Sequence, residues 1–397
     1  MNYVNDKFQR SFEIVAERFL SKIGFGELIV TFPSGSTKSF KGTNGDEIAD
    51  LKLHNYKFIS KIIKRKSIGF AESYMDGDFS TSDLTKLLLI SYKNEKYFLH
   101  NLKSNIFFNM YSKFKHFLNE NTKKQSKKNI EYHYDLGNSF YDKWLDQSMT
   151  YSSAYFDKDN QNLYDAQISK YDQIAKSLNL NENSKVLEIG CGWGGFSSYI
   201  AKNFKSKIDA ITISKEQFEY ASNKIQQEGL GEKVSIKYSD YRDVDNKYSN
   251  IASIEMFEAV GKKYWEKYFS IVKKSLGDSG KAVLQIITID DQRAINYHRQ
   301  PDFIQQYIFP GGMLPTKKNL EDINYKVGLE FKEIKSFGLS YAKTLNLWNQ
   351  QFQNSWEELV QLGFNVRFKR MWEYYLSYCE TGFLSKSTDV SHFLINR

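Results

Sequence analysis

The sequence is poor in cysteine and proline and has no long apolar run. Its 397 residues include two cysteines and four prolines. Cys191 and Cys379 cannot build a disulfide framework and match no zinc-ligand spacing. No apolar run approaches the ~18–20 residues that a membrane-spanning helix needs, and the charged first twenty residues lack the apolar core of a signal peptide. We therefore expect a soluble, cytoplasmic protein.

Apolar and aromatic residues, in contrast, are plentiful. They make up 41% and 16% of the chain, which is enough to build hydrophobic cores and excludes a disordered chain. The 23 glycines and few prolines also exclude a collagen-like or low-complexity protein. At ~150 residues per domain, the length predicts two or three domains.

The positive charge is concentrated in one part of the chain. The net charge is +8, and residues 1–130 contain 22 Lys and Arg against 13 Asp and Glu, whereas the remainder contains 33 against 34. A localised positive field suits an anionic partner, either a nucleic acid or a membrane surface. The alternative interpretation is that the lysines only keep this region soluble.

The first third of the sequence is typical of a small α+β domain. Residues 26–32 and 36–40 have strand character and are separated by a Pro-Ser-Gly turn. Residues 58–63 carry apolar side chains at the spacing of one helix face. Ser82 is the predicted N-cap of a following helix.

A lysine-rich segment at 123–130 is the predicted linker between this domain, residues 1–122, and a second domain, residues 131–397. The second domain alternates apolar strands with helical segments, which predicts an α/β, doubly wound, mostly parallel sheet. The predicted strands of this sheet are 185–190, 209–214, 234–238, 250–257 and 281–289. Ser214 is the predicted N-cap of the helix after the second of them, with Gln217 at the N3 position.

A glycine-rich turn follows the first strand of the second domain. Residues 190–195 read Gly-Cys-Gly-Trp-Gly-Gly, and such a turn lets the backbone approach a ligand closely. The third glycine spacing is one residue short of the dinucleotide-binding fingerprint. The pattern instead fits a methyltransferase, in which a sulfonium nucleoside replaces a pyrophosphate.

Longer motifs make the sequence resemble one family. These are HYDLGN (133–138), TYSSAYF (150–156), VLEIGCGWGGF (186–196), MFEAVG (256–261), YIFPGGMLP (307–315) and FGLSYAKTL (337–345). They resemble the cyclopropane-fatty-acyl-phospholipid synthases, and residues 72–79 resemble the small domain that precedes the catalytic one. The resemblance implies that S-adenosylmethionine methylates the double bond of a phospholipid acyl chain, which then closes a cyclopropane ring.

The resemblance also implies a set of residues that bind S-adenosylmethionine. They lie in a Tyr-Ser pair, the glycine turn, the second strand with its helix, and a pair after the third strand. These residues are Tyr151, Ser152, Leu187, Glu188, Gly190, Cys191, Gly192, Trp193, Gly194, Gly195, Thr212, Gln217, Tyr241 and Arg242. Tyr151 is expected to bring a π face near the sulfonium.

Ring closure needs a base, because the new methyl group must lose a proton. In the family this base is a bicarbonate held by a Glu, a Tyr, a His and a Cys. The resemblance assigns the first two roles to Glu258 and Tyr341. At the other two positions this sequence has Gln285 and Ser153, which still offer hydrogen bonds. Because this protein lacks the His, an alternative product stays open. That product is a methyl-branched or methyl-alkene acyl chain without a ring.

The remaining expectations concern the lipid and its surroundings. Phe303, Tyr307 and Ile308 are predicted to face the acyl chain, although an aromatic stripe at this spacing is more often core. The basic residues of the first domain, among them Lys57, Lys61, Lys64, Arg65 and Lys66, suggest peripheral docking on the inner membrane surface. Cys379 is interpreted as structural. We expect no metal and no nucleic acid, and by resemblance a homodimer is possible.

Overall fold

The chain divides into two compact units. The computed structural model describes residues 13–14, 16–18, 20–96, 125–126, 136–158 and 160–397. The first unit contains Met1–Ser112 and Gly363–Ser385, and the second contains Lys113–Leu362 and Lys386–Arg397. Most of the predicted linker and the start of the HYDLGN motif lie outside the described residues.

The first unit contains a small mixed sheet with helices beside it. Its strands pair in the order β2-β1-β3-β4, with β1 parallel to β3 and the other pairs antiparallel. The elements are β1 (Phe25–Thr31), β2 (Thr37–Lys41), β3 (Asn44–Leu53), α1 (Lys57–Met75), β4 (Phe79–Ser80) and α2 (Leu84–Lys93). Apolar side chains of β1 and β3 share one core with Phe58 and Phe79.

Two local details differ from the sequence predictions. The N-cap of α2 is Asp83, whose carboxylate accepts from the Lys86 N–H, so the prediction of Ser82 was wrong. The Ser82 N–H and hydroxyl are instead both directed to Asp50. The helix α1 is interrupted at Lys66, whose φ is 52°.

The second unit is built on a seven-stranded sheet in the order β10-β11-β9-β8-β5-β6-β7. Its strands are β5 (Lys185–Ile189), β6 (Lys207–Thr212), β7 (Val234–Tyr238), β8 (Tyr248–Ile254), β9 (Leu276–Ile289), β10 (Glu330–Ser336) and β11 (Thr388–Asn396). The five strands from β5 to β9 are parallel to one another, and β11 is antiparallel to both β9 and β10. This architecture confirms the predicted fold class.

Helices cover both faces of this sheet, so successive strand residues point into different cores. Val186 and Val283 belong to one apolar cluster, whereas Leu187 and Leu284 belong to the other. The helices are α3 (Asn138–Tyr141), α4 (Leu163–Ser177), α5 (Gly195–Asn203), α6 (Lys215–Gln227), α7 (Trp265–Ser275), α8 (Asp291–Tyr297), α9 (Lys317–Val327), α10 (Gly338–Asn354) and α11 (Trp356–Gln361).

The end of the sequence contributes to both units. The helix α12 (Val366–Leu384) packs with α1 and α2 in the first unit, although the sequence analysis assigned it to the second domain. The chain then returns to the second unit as β11, which lies between β9 and β10. Neither β10 nor β11 was predicted.

The strand order reverses beside β5. From β5 the chain proceeds outward through β6 and β7 and then returns as β8 to the other side of β5. In such sheets ligands bind beyond the carboxyl ends of the strands at this reversal. No helix among the described residues has the length and apolar character to cross a bilayer.

Candidate active site

The glycine turn lies at the carboxyl end of β5, where the strand order reverses. Gly190, Gly192 and Gly194 have φ values of 84°, 52° and 81°, which glycine adopts at least cost. A Cβ at Gly190 would lie 2.8 Å from the Met256 side chain, whereas a Cβ at Gly192 would meet no atom within 4 Å. The turn is therefore tightly packed below and open at Gly192, as a small ligand that contacts the backbone requires.

The start of α5 is held close to the segment before α4. A Cβ on Gly195 would lie 2.5 Å from the Tyr171 hydroxyl and 3.1 Å from the Ser148 carbonyl oxygen. Only glycine fits this position without displacing its neighbours. The predicted cofactor turn thus has a structural reason for each of its glycines.

Other residues of the predicted turn lie beneath it. The buried Glu188 carboxylate accepts a hydrogen bond from the Ser197 hydroxyl, and burial raises the pKa of this carboxyl to about 8. Leu187 and Cys191 lie in apolar clusters, and burial raises the pKa of the Cys191 thiol. The Trp193 indole donates to Asn138 Oδ1 at 2.6 Å. These side chains fix the turn from below.

The structure brings the predicted pair on the second strand together. Thr212 Oγ1 donates to Gln217 Oε1 at 2.9 Å, and Ser214 caps α6 as predicted. The described residues offer no hydrogen-bond acceptor to Gln217 Nε2, which suits the predicted bond to the nucleoside. Tyr241, another residue predicted to bind the cofactor, packs its ring in the core against Tyr268.

Arg242 is directed to a neighbouring acid. Its guanidinium nitrogens Nε and Nη2 donate to the two carboxylate oxygens of Asp240 at 2.8 Å and 2.6 Å. This bidentate pair holds the loop after β7 in place. For Tyr241 and Arg242, cofactor binding stays a prediction.

Tyr151 lies in an aromatic cluster. Its ring centroid is 5.4 Å from each of the rings of Tyr141, Trp144 and Trp348. The Tyr141 ring also lies 5.0 Å from Trp193 in the glycine turn. The cluster thus connects the turn with α10. Tyr141, Trp144 and Trp348 are fully buried behind Tyr151, which is itself half-buried. Contact of the Tyr151 ring with a sulfonium stays a prediction.

A buried lysine supports the next residue of the same segment. The ammonium of Lys170 donates to Ser152 Oγ at 2.7 Å and to Gln167 Oε1 at 2.5 Å. Gln167 in turn donates to the Ser152 carbonyl oxygen at 3.0 Å. Burial lowers the pKa of Lys170 to about 7. The sequence analysis did not identify this lysine.

The main finding at the site is a carboxylate that the sequence analysis did not assign. Glu255 follows β8 directly, and its Oε1 accepts from the Ser153 N–H at 2.8 Å and from Gln285 Nε2 at 2.7 Å. Its Oε2 accepts from the Tyr341 hydroxyl at 2.6 Å. Three of the four predicted catalytic residues therefore converge on Glu255.

A histidine orients one of these donors. His392 of β11 is the register partner of Gln285 in β9, and its Nε2 lies 2.8 Å from Gln285 Oε1. Burial lowers the pKa of His392 to about 3, so the ring is neutral and donates to this oxygen. The amide of Gln285 is then fixed with its nitrogen toward Glu255.

Glu258, the predicted catalytic acid, lies close by but has different partners. Its Oε1 accepts from the Ile287 N–H at 2.5 Å, two residues beyond Gln285 on the same strand. Its Oε2 is buried and has no hydrogen-bond partner among the described residues. Burial and the nearby Glu255 raise the pKa of Glu258 to about 8, so it is protonated at neutral pH.

The hydrogen-bond donors of this site are already directed to Glu255, so the residues present do not fit a bicarbonate in addition to this carboxylate. The donors expected to bind it, on Ser153, Gln285 and Tyr341, are all directed to the Glu255 carboxylate. A second anion there would lack these donors and would meet a like charge. The bicarbonate therefore stays an expectation from the resemblance alone.

Two of the three predicted acyl-chain residues, Tyr307 and Ile308, lie in a single π-helical turn, Ile304–Ile308, and Phe303 directly precedes it. Phe303 and Ile308 are buried, and the rings of Phe303 and Tyr307 stack at 5.4 Å. The loop that follows reaches the site, since the Met313 N–H donates to the Glu258 carbonyl oxygen at 2.8 Å. Contact of these three residues with an acyl chain stays a prediction.

Comparisons with known proteins identify a matching family model and similar relatives. The family model for mycolic acid cyclopropane synthetase matches residues 121–393, and a domain of unknown function matches residues 15–103. The chain is 35% identical to the tuberculostearic acid methyltransferase of Mycobacterium tuberculosis, over 87% of this chain and 83% of that protein. It is 33% identical to the cyclopropane-fatty-acyl-phospholipid synthase of Escherichia coli, over 89% of each.

Solved structures extend the likeness to the fold. The cyclopropane synthase MmaA2 from Mycobacterium tuberculosis superposes with a TM-score of 0.64 at 27% identity, over 68% of this chain and 98% of that one. The mycolic acid cyclopropane synthase CmaA1, solved with SAH and CTAB, gives the same TM-score at 28% identity, with the same coverage.

Proposed function

The chain belongs to the mycolic acid cyclopropane synthetase family and is an S-adenosylmethionine-dependent methyltransferase that modifies lipids; from this premise we propose that it converts the double bond of unsaturated phospholipid acyl chains into a cyclopropane ring. The observation that carries the proposal is the Glu255 carboxylate, held by Ser153, Gln285 and Tyr341 at the same sheet edge as the glycine turn.

Different residues of the site are suited to different parts of this reaction. When bound, S-adenosylmethionine supplies a methyl group on a sulfonium, which the π electrons of a double bond attack. The glycine turn and the Thr212–Gln217 pair are suited to bind the nucleoside and its methionine part. The Tyr151 ring, held in place by the buried rings of Tyr141 and Trp348, is suited to stabilise positive charge. A buried acceptor of one proton then completes ring closure.

We retain a second candidate product, because the names of the similar proteins state different activities. A tuberculostearic acid methyltransferase and a cyclopropane synthase are similar to this chain at 35% and 33% identity. Ser153 and Gln285 replace a Cys and a His that the family resemblance led us to expect. The alternative is a lipid C-methyltransferase that gives a methyl-branched or methyl-alkene chain without a ring.

Docking on a membrane surface is the third part of the proposal. Lys57 and Lys64 are exposed and form no ion pair with a described residue. Lys61, in contrast, pairs with Asp76 and Asp78, and Arg65 pairs with Glu72. Only part of the predicted basic set is therefore available to anionic headgroups, and we expect weak, salt-sensitive docking.

The test of the product uses purified protein, vesicles of unsaturated phospholipid and S-adenosylmethionine with a CD3 methyl group. Fatty acid methyl esters are then analysed by mass spectrometry, with and without derivatisation of double bonds. Ring closure retains two deuterium atoms and removes the double bond. A methyl-alkene reacts in the derivatisation.

The outcome decides between the two products. A heavier chain that no longer reacts as an alkene supports cyclopropane formation, and one that still reacts supports the alternative. A reaction without protein measures the background. Absence of any heavier chain, with S-adenosylmethionine binding intact by calorimetry, contradicts both products.

A further inference from the structure

We infer that Glu255 is the base of the reaction and that its carboxylate takes the place of the bicarbonate which the resemblance assigned to this site. The inference rests on the proposed function, because it names the group that accepts the proton lost in ring closure. It makes the enzyme independent of dissolved inorganic carbon.

The hydrogen bonds to Glu255 support this assignment. A carboxylate offers about four lone-pair positions, and three are filled by Ser153, Gln285 and Tyr341 at 2.6 to 2.8 Å. Among the described residues, Oε2 accepts only the Tyr341 bond, so one position on this oxygen is left for a proton from the substrate. The donors hold the carboxylate in one orientation, as a base in a fixed geometry requires.

The backbone at Glu255 gives a second, independent argument. Its φ is 50°, in the left-handed region. This conformation costs a residue with a Cβ ~1–2 kcal/mol and costs glycine little. A side chain kept at such a position, with three hydrogen bonds to its end, indicates that the carboxylate is needed there.

The surrounding charges fit one anion and not two. Glu258 carries its proton at neutral pH because burial and the Glu255 carboxylate raise its pKa to about 8. Lys170 is the buried cation whose charge acts on Glu255, and His392 behind Gln285 is neutral. Burial raises the pKa of Glu255, which makes it a stronger base once ionised.

The proposed step balances within the site. After methyl transfer the acyl chain carries a carbocation next to the carbon that bears the new methyl group. One C–H bond of that methyl breaks, and its electron pair forms the third C–C bond of the ring. The proton moves to Glu255 Oε2, and the resulting carboxylic acid returns it to solvent before the next turnover. No oxidant, reductant or second anion is needed.

The experiment compares the parent with Glu255→Gly and Glu255→Gln in buffer freed of carbon dioxide. Glycine suits the left-handed backbone and opens the space of the carboxylate, whereas glutamine fills that space without a basic oxygen. The parent is expected to show the same rate with and without added bicarbonate. Both variants are expected to lose about 10²–10⁴-fold in kcat. Bicarbonate, but not equal potassium chloride, is expected to restore Glu255→Gly by at least about tenfold and to leave Glu255→Gln unchanged.

Binding of ¹³C-labelled bicarbonate, followed by NMR line width, gives a readout that needs no lipid. Binding by Glu255→Gly and not by the parent or by Glu255→Gln supports the inference. Binding by the parent overturns the inference, as do a folded Glu255→Gly that binds no bicarbonate and a parent whose rate depends on bicarbonate. Circular dichroism establishes that each variant is folded, and the parent measurements decide the question even where a variant is not. A parent that binds no bicarbonate and methylates no lipid contradicts the proposed function and leaves Glu255 as the occupant of the site.

Discussion

At the scale of single residues, the hydroxyl of Tyr341 is the part of the site that a conservative substitution tests best. In Tyr341→Phe the ring stays and Glu255 loses one hydrogen bond. A hydrogen bond to a charged group contributes about 1.5–3 kcal/mol, so kcat is expected to fall about 10–100-fold. The KM for S-adenosylmethionine is expected to stay within about twofold, because Tyr341 is not among the predicted cofactor ligands.

The pH profile of the same variant separates this role from a structural one. Glu255 works ionised, so activity is lost as pH falls through its pKa. The Tyr341 bond lowers that pKa against the effect of burial, as do Lys170, Ser153 and Gln285. Its loss therefore moves the acid limb of the rate profile to higher pH. An unmoved acid limb, measured from pH 5 to 9, contradicts the assignment.

The catalytic residues could be predicted from the sequence only in part. Tyr341 and Ser153 were identified through long motifs and Gln285 through its position on a predicted strand, and the structure brings them together. Glu255 was interpreted as part of a strand, because its role depends on a left-handed backbone and on partners about 30 to 102 positions away. One signal was available: an acidic residue at the carboxyl end of a strand beside the reversal in strand order.

At the scale of elements, the start of α5 gives a sharp test of close packing. In Gly195→Ala the new Cβ would lie 2.5 Å from the Tyr171 hydroxyl. Overpacking of this kind costs about 1–3 kcal/mol, so we expect a lower free energy of unfolding in urea. Binding of S-adenosylmethionine, measured by calorimetry, is expected to weaken as the turn shifts.

Gly231→Ala is the matched control. A Cβ at this glycine would have no atom within 4 Å, and the backbone there has no positive φ. The substitution is therefore expected to change stability by less than about 0.5 kcal/mol. Equal effects of the two substitutions contradict the packing argument.

In the second unit, the local pattern predicted the parallel strands well and did not predict the antiparallel strands β10 and β11. β5 to β9 alternate with helices, so each strand has a clear apolar run and a helix after it. β10 is mostly exposed, and β11 enters the sheet after the chain has passed through α12 in the other unit. Such pairing depends on contacts distant in sequence, which apolar periodicity does not report.

At the scale of the whole molecule, the localised positive charge predicts binding to anionic vesicles. Each exposed lysine near an anionic bilayer contributes about 1 kcal/mol. The double variant Lys57→Glu with Lys64→Glu is therefore expected to bind such vesicles at least about thirtyfold more weakly in co-sedimentation at low salt. Neutral vesicles are expected to bind parent and variant equally.

A second double variant controls for net charge. Lys207 and Lys267 are also exposed, and they lie in the part of the chain after residue 130, whose charges nearly balance. Lys207→Glu with Lys267→Glu makes the same change in net charge and is expected to bind anionic vesicles like the parent. Equal losses in both double variants show that overall charge, rather than this helix, determines binding.

The left-handed backbone at position 255 also has a genetic consequence. Codons for glutamate and glycine differ at a single base, and glycine adopts this backbone conformation at almost no cost. One point mutation would thus replace the Glu255 carboxylate as the proton acceptor by bicarbonate formed from carbon dioxide, with the backbone of the loop unchanged. Growth in air stripped of carbon dioxide would select for the encoded form.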